Sequence, residues 1–182
     1  MTLKKTLTLC ALLTATAASA GEMPIAAQAL VHARGGAIQG CGARLTGGET
    51  APGATSAWFD VSFNVFRGGY ALAQSYAYEF RRSEYDGEAR PARVPVQSAW
   101  LKAPQGSARL GENSERRDTL VYPLVFDDAL ALFQALAAGQ PVTVGIKRWD
   151  RRAASVYAGT PALSEEGRQR IAECLVRLTA AE

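Results

Sequence analysis

The sequence predicts one α+β domain, in which a mainly antiparallel sheet of about five to seven strands carries two helices on one face. Two neighbouring segments near the middle of the chain alternate between apolar and polar residues, which is typical of half-buried antiparallel strands. Helical periodicity is strong in only two segments, and both lie in the last third of the chain. Because strands and helices do not alternate regularly, a doubly wound parallel sheet is not expected.

The N-terminal part of the domain has weaker signals than the rest. Residues 21–36 lack clear periodicity, and we expect a short helical turn within residues 25–33. Residues 37–45 are predicted to form a strand that carries Cys41. A loop should follow over residues 46–56, since this stretch is rich in glycine, proline and threonine.

A β-hairpin is the clearest element of the sequence. Residues 58–66 form its first strand and residues 70–80 its second, with a glycine-containing turn between them. The apolar face of the first strand comprises Phe59, Val61, Phe63 and Val65. The large face of the second strand comprises Tyr70, Leu72, Tyr76, Tyr78 and Phe80. We interpret its tyrosines as core or cross-strand contacts, and an exposed ligand platform is the alternative.

Two further strands are predicted between long polar loops. Residues 81–93 are charged and predict a loop, after which residues 94–102 are predicted to form a strand. A second polar loop is expected over residues 103–118, and residues 119–126 are apolar enough to form another strand. Both predicted strands contain a proline, which lacks a backbone N–H, so we expect each at a sheet edge or a strand end.

The C-terminal third contains both helices and a second hairpin. Asp127 is predicted to cap the first helix and Gly139 to end it. Strands are predicted over residues 141–149 and 153–158. Ser164 is predicted to cap the last helix. The predicted buried stripes are Leu130, Phe133, Leu136 and Ala137 in the first helix and Ile171, Cys174, Leu175 and Leu178 in the last.

The first twenty residues are typical of a cleaved secretory signal peptide. Lys4 and Lys5 precede an uncharged apolar run over residues 7–16, and a small-x-small motif follows it. The run is too short to cross a bilayer core of about 30 Å. We therefore expect residues 1–20 to be removed, leaving residues 21–182 as one periplasmic or secreted domain without a stable membrane anchor.

The cysteines predict one disulfide. Cys10 would leave with the leader, and the residues around it do not fit a lipoprotein signal. Cys41 and Cys174 remain, and two thiols in an oxidising compartment favour a bridge. It would close a loop of about 133 residues and restrict the unfolded chain by about 4–5 kcal/mol. A redox or metal role is disfavoured, because the chain has no C-x-x-C motif and no histidine cluster.

The charge balance argues against nucleic acid as a partner. The chain has 20 Lys and Arg residues against 17 Asp and Glu residues, a net charge of +3. Losing the two lysines of the leader lowers the net charge of the mature chain to about +1. Domains that bind nucleic acid usually carry a strong basic excess, which this composition lacks.

Few residues could support catalysis. His32 is the single histidine, no G-x-S-x-G motif accompanies it, and we interpret it as a solvent-accessible residue. Neither a metal nor a cofactor is expected, since clustered ligands and phosphate-binding glycine motifs are missing from the sequence. The acidic pairs Asp127-Asp128 and Glu165-Glu166 are explained by the first turns of the predicted helices.

The second predicted hairpin offers a candidate binding site, in which a tryptophan lies among four cationic side chains. Its residues are Lys147, Arg148, Trp149, Arg151 and Arg152. Tryptophan and arginine dominate the energetics of many interfaces, so the turn could hold an acidic protein partner. The leading hypothesis is thus an exported non-catalytic binding protein, of envelope-accessory, inhibitor or immunity type. The alternatives are a carboxylate-dependent hydrolase acting on envelope glycan and a structural envelope component.

Overall fold

The computed structural model describes residues 21–50, 57–82, 85, 87–104 and 106–180. The predicted leader and residues 51–56 of the predicted loop lie outside these ranges. Within them, most strands are antiparallel, two helices are present, and Cys41 is bonded to Cys174. The predicted α+β class and the predicted disulfide are therefore confirmed.

Ten strands and two helices make up the described part of the chain. In chain order they are β1 (Gly21–Arg34), β2 (Ala37–Thr50), β3 (Ala57–Phe66), β4 (Tyr70–Arg82), β5 (Ala89–Val94), β6 (Val96–Ala103), β7 (Gly106–Glu112), β8 (Leu120–Leu124), α1 (Phe126–Ala137), β9 (Val142–Arg148), β10 (Ser155–Gly159) and α2 (Glu165–Thr179).

The strands form two antiparallel sheets instead of the single sheet expected. The first has six strands in the order β1-β2-β3-β4-β5, and β8 also pairs with β4. Strand β4 is long enough that β5 pairs with residues 77–82 and β8 with residues 71–75 along the same edge. The second sheet has four strands in the order β10-β9-β6-β7.

Pro95 marks the point where the chain leaves one sheet and enters the other. It separates β5 from β6, so the single strand predicted over residues 94–102 belongs chiefly to the second sheet. Proline has no backbone N–H and interrupts a ladder of hydrogen bonds. Its carbonyl still accepts a hydrogen bond from the backbone N–H of Trp149, 3.1 Å away, which joins this crossover to the end of β9.

The hydrophobic core lies on one face of the six-stranded sheet, which we call the inner face. The apolar side chains predicted in β3 are fully buried there. Phe59 contacts Tyr157 of β10, with ring centroids 4.7 Å apart, and Phe63 contacts Phe133 of α1 at 4.9 Å. The second sheet and both helices thus cover the same face, since α2 is joined to it through Cys41.

The helical turn expected within residues 25–33 is wrong, because this segment belongs to β1. Gly35 and Gly36, both with positive φ (59° and 79°), form a two-residue turn that pairs β1 with β2. Two successive residues with φ above zero are the signature of a type I′ hairpin. Pairing with β2 through this tight turn therefore outweighs the weak local pattern of the segment.

Three predicted loops also contain strands. Residues 46–50 of the loop expected over residues 46–56 belong to β2. Strand β5 occupies the end of the charged loop expected over residues 81–93, and β7 lies within the loop expected over residues 103–118. In β7, Ala108 and Leu110 are buried while Arg109 between them is exposed. Such short alternation gives a weak sequence signal, and pairing with β6 is what stabilises it.

The helix boundaries predicted from the sequence agree with the structure better for α2 than for α1. Ser164 caps α2 as predicted, with its Oγ accepting a hydrogen bond from Gly167 N at 3.0 Å. Helix α1 begins at Phe126 after Val125, so the predicted cap at Asp127 is wrong, and that residue lies in the first turn. The predicted end at Gly139 is confirmed by its φ of 61°. Ala137, placed in the buried stripe, is exposed.

Candidate functional site

The predicted binding residues lie at the turn between β9 and β10, which we call the 147–152 turn. Trp149 is 37% exposed. Arg151 and Arg152 are exposed beside it, and Lys147 is half-buried. Arg148 differs from the other cations, because it is only 5% exposed and points into the protein.

Arg148 anchors the turn to the body of the protein. Its Nε donates to Asp150 Oδ1 at 2.9 Å and its Nη2 donates to Asp150 Oδ2 at 2.5 Å. The same guanidinium donates to Glu79, a buried carboxylate on β4 of the other sheet. Burial lowers the pKa of Arg148, but hydrogen bonds to Asp150 and Glu79 outweigh this and leave its pKa raised. Its role in this structure is to hold the turn.

The 147–152 turn keeps a positive charge despite these ion pairs. Arg151 lies 3.6 Å from Glu79 Oε1, and Arg81 of β4 lies 3.5 Å from Glu79 Oε2. Five basic side chains therefore surround two carboxylates, giving a net charge of about +3. The basic set is Arg81, Lys147, Arg148, Arg151 and Arg152, and the acidic set is Glu79 and Asp150.

A second polar and aromatic surface lies on the outer face of the six-stranded sheet, opposite the core. The large side chains of β4 point outward here, while the small face with Ala71, Ala73 and Ala77 is buried. The tyrosines are thus not core residues. They make ring contacts instead, with Tyr76 and Tyr78 centroids 6.3 Å apart and Tyr70 stacked on Phe66 at 5.0 Å.

A small cavity of about 150 Å³ opens on this surface, and we call it the outer-face cleft. It is lined by Arg44, Thr46, Trp58, Asp60, Tyr78 and Pro91. Asp60 is buried and accepts from Arg44 Nε at 2.9 Å and from Arg44 Nη2 at 2.5 Å. A hydrogen bond to Asp60 is the main reason that the pKa of Arg44 is raised. Apart from Tyr78, which belongs to the predicted tyrosine row, the residues of this site could not be grouped from the sequence, because they come from four strands.

Arg93 of β5 extends the outer-face cleft along the sheet. Its guanidinium lies over the ring of Tyr76, 4.4 Å from the centroid, in a cation–π contact. A hydrogen bond with Tyr78 raises the pKa of Arg93. The outer surface beside the cleft therefore carries a fixed positive charge next to aromatic rings.

His32 is less accessible than the sequence analysis expected. It is half-buried on the outer face, with Nε2 2.7 Å from Oδ1 of Asn64 and its ring 5.5 Å from that of Phe66. Gly40 and Gly42 lie between these side chains, where a Cβ would meet Phe66 or Asn64 at under 3 Å. Because these glycines have no side chains, His32 of β1 can contact Asn64 and Phe66 of β3 across β2. These contacts indicate a structural role for His32.

The acidic residues do not form an obvious catalytic pair. Asp60 and Glu79 are the two buried carboxylates among the described residues, and each is paired with an arginine. Asp60 is opposite Tyr76 in the β3–β4 register, three residues before Glu79. An odd separation along a strand places side chains on opposite faces. The described residues also contain no group of three or more His, Cys, Asp and Glu side chains that could hold a metal ion.

Neither described helix could span a membrane. Helix α1 has 12 residues and α2 has 15, whereas a membrane-spanning helix needs about 20 mainly apolar residues. Among the residues that the structure describes, no helix has the required length and hydrophobicity.

Comparisons with known proteins assign no family to the chain. No protein-family model matches it, and no curated protein is significantly similar to it. The described residues present two candidate sites, the 147–152 turn and the outer-face cleft.

Proposed function

We propose that this chain is an exported, non-catalytic binding domain of the periplasm or the extracellular space, and that it binds an acidic protein through the 147–152 turn. An envelope accessory factor, an inhibitor and an immunity-type protein all belong to this class. The observation that carries the proposal is the exposed Trp149, flanked by Arg151 and Arg152 on a turn that Arg148 holds in place.

Preorganisation supports binding at this turn. A flexible loop loses conformational entropy when it binds, which weakens the complex. The two hydrogen bonds from Arg148 to Asp150, and the backbone hydrogen bond from Arg151 N to Arg148 O at 3.4 Å, fix the turn beforehand. Trp149 then presents a rigid apolar surface at a low entropic cost, as interface hot spots do.

Charge supports an acidic partner. The net charge of about +3 around the turn exceeds the charge expected for the whole mature chain, so the basic excess is concentrated at this site. Such a patch accelerates association with a negative surface and makes the affinity fall with ionic strength.

A hydrolase acting on glycan is less well supported. General acid–base cleavage of a glycosidic bond needs two carboxyl groups that flank the same bond. The buried carboxylates Asp60 and Glu79 lie on opposite faces of the sheet and are each held by an arginine. The geometry of the buried acidic residues thus favours binding over hydrolysis.

The test compares capture of envelope proteins by residues 21–182 and by the triple variant Trp149→Ala, Arg151→Ala, Arg152→Ala. The matched control is Val176→Ala, Arg177→Ala, which removes an exposed apolar and a cationic side chain from α2. We expect one partner to be captured by the natural chain and the control, and held at least about thirtyfold more weakly by the triple variant. Equal capture by all three, with unchanged melting temperatures, would contradict the proposal.

A further inference from the structure

We infer that the outer-face cleft is a binding site for a single saccharide ring. The inference concerns a surface of the six-stranded sheet, whereas the proposed protein interface lies at the end of the four-stranded sheet. It therefore goes beyond the proposed function and does not depend on it.

The size and walls of the cleft fit one six-membered ring. A cavity of about 150 Å³ is large enough to hold benzene in a protein interior, and the cleft has this volume. Trp58 is 36% exposed, and Phe80 stacks on it with centroids 6.1 Å apart and planes 20° apart. A sugar ring has an apolar C–H face, which the supported indole can cover.

The polar groups of the cleft match neighbouring hydroxyls. Arg44 uses two of its five N–H donors on Asp60, and each Asp60 oxygen keeps a further lone pair. A fixed donor therefore lies beside a fixed acceptor. A sugar hydroxyl is both a donor and an acceptor, so two adjacent hydroxyls can bind such a pair together. Thr46 and Tyr78, whose side chains have hydroxyl groups, also line the cleft.

Charge excludes the other common ligand of aromatic clefts, which is an organic cation. Cation-binding cages surround the ligand with aromatic rings and favour an unpaired negative charge. Here Arg44 already neutralises Asp60, and Arg93 adds a positive charge beside the tyrosines. The paired charge of Arg44 and Asp60 and the positive charge of Arg93 disfavour a cation, whereas a hydroxyl-rich ligand can still hydrogen-bond to the Arg44–Asp60 pair.

Titration with small sugars tests the inference. The probes are cellobiose, maltose and N,N′-diacetylchitobiose, with sorbitol as a polyol that has hydroxyls but no ring. Binding to residues 21–182 is followed by amide chemical shifts. We expect at least one disaccharide to bind with a Kd on the order of 1 mM, since only one ring is enclosed, with the shifts centred on the outer-face cleft and none produced by sorbitol.

Two tryptophan variants locate the site. Trp58→Ala should weaken disaccharide binding at least about tenfold. Trp149→Ala is the matched control, because its side chain is exposed to nearly the same extent (37% against 36%), and it should leave sugar binding unchanged. Asp60→Asn, which keeps the shape of the side chain, should also weaken binding, and it keeps the test decisive if Trp58→Ala lowers the melting temperature.

Two outcomes would overturn the inference. One is the absence of shifts with every disaccharide at about ten times the expected Kd, and the other is equal weakening by Trp58→Ala and Trp149→Ala. The sugar-binding inference and the proposed function can fail independently of each other. Protein capture should be lost in Trp149→Ala and retained in Trp58→Ala.

Discussion

Arg148 has a different role in the structure from the one that the sequence predicted. As one of four cations around a tryptophan, it looks like a binding residue. In the structure its burial would cost several kcal/mol if it were unpaired, and Glu79 and Asp150 supply the compensating charges. Its guanidinium thereby orients the turn and leaves Trp149, Arg151 and Arg152 to face outward.

Replacing Asp150 with Asn should reduce the acid sensitivity of the fold. Hydrogen bonds from Arg148 lower the pKa of Asp150 in the folded state. The ionised carboxylate therefore stabilises the protein above its unfolded-state pKa of about 4, and this contribution is lost as the pH falls through the lowered folded-state pKa. Because the Asp150 side chain is 40% exposed, we expect a contribution of about 1 kcal/mol or less.

The measurement is the free energy of unfolding in urea between about pH 2 and pH 7. The natural chain should lose more stability on acidification than Asp150→Asn does. Parallel curves for the two proteins would show that the ion pair with Arg148 adds nothing to the folded state.

At the scale of single residues, the sequence predicted which apolar side chains are buried in β3, but it did not predict which polar side chains are buried. The alternation in β3 placed Phe59 and Phe63 in the core, where they are fully buried. It also placed Asp60 on a solvated face, yet Asp60 is only 8% exposed. A polar side chain is buried when a partner from another strand pairs with it, and here the partner is Arg44. Local pattern contains no information about such a partner.

Among the elements, the long central hairpin and both helices had clear sequence signals, whereas β1, β5 and β7 were not predicted as strands. The β3–β4 hairpin combines strict alternation with a glycine turn, so two local signals agree. Strands β1 and β7 have weak alternation, and each has a shifted register with its neighbour. Such irregular pairing is fixed by the tertiary structure, which a local window of sequence does not contain.

Breaking the disulfide should release α2 before the rest of the fold. Apart from Cys174, only Ile171 and Leu178 of this helix are buried, so the bond to Cys41 supplies much of its attachment. Substitution of both cysteines by alanine should lower the free energy of unfolding by about 2–5 kcal/mol. Amide hydrogen exchange should then become faster in α2 than in the rest of the protein.

Helix α1 provides the internal control for this experiment. It packs through Phe133 against Phe63 and has no disulfide to the sheet. Its amide exchange should change only with global stability. Uniform acceleration across α1 and α2 would show that the helices unfold together with the core, and would contradict separate release of α2.

On the scale of the whole molecule, the division into two sheets was not predictable. Pro95 indicated an edge or a strand end, and nothing local distinguishes an interruption within one sheet from a crossover to another. The division separates the two surfaces, because the outer-face cleft belongs to the first sheet and the 147–152 turn to the second. The buried pair Glu79–Arg148 joins the sheets beside that turn.

The proposed function depends on export. Both the unreactive disulfide and the envelope partner require that the protein reaches an oxidising compartment. The intact mass of the protein purified from its native cells, before and after alkylation of free thiols, tests this most directly. We expect a chain of residues 21–182 that takes up no alkylating reagent. A chain that retains residues 1–20 and is alkylated at Cys41 and Cys174 would contradict it.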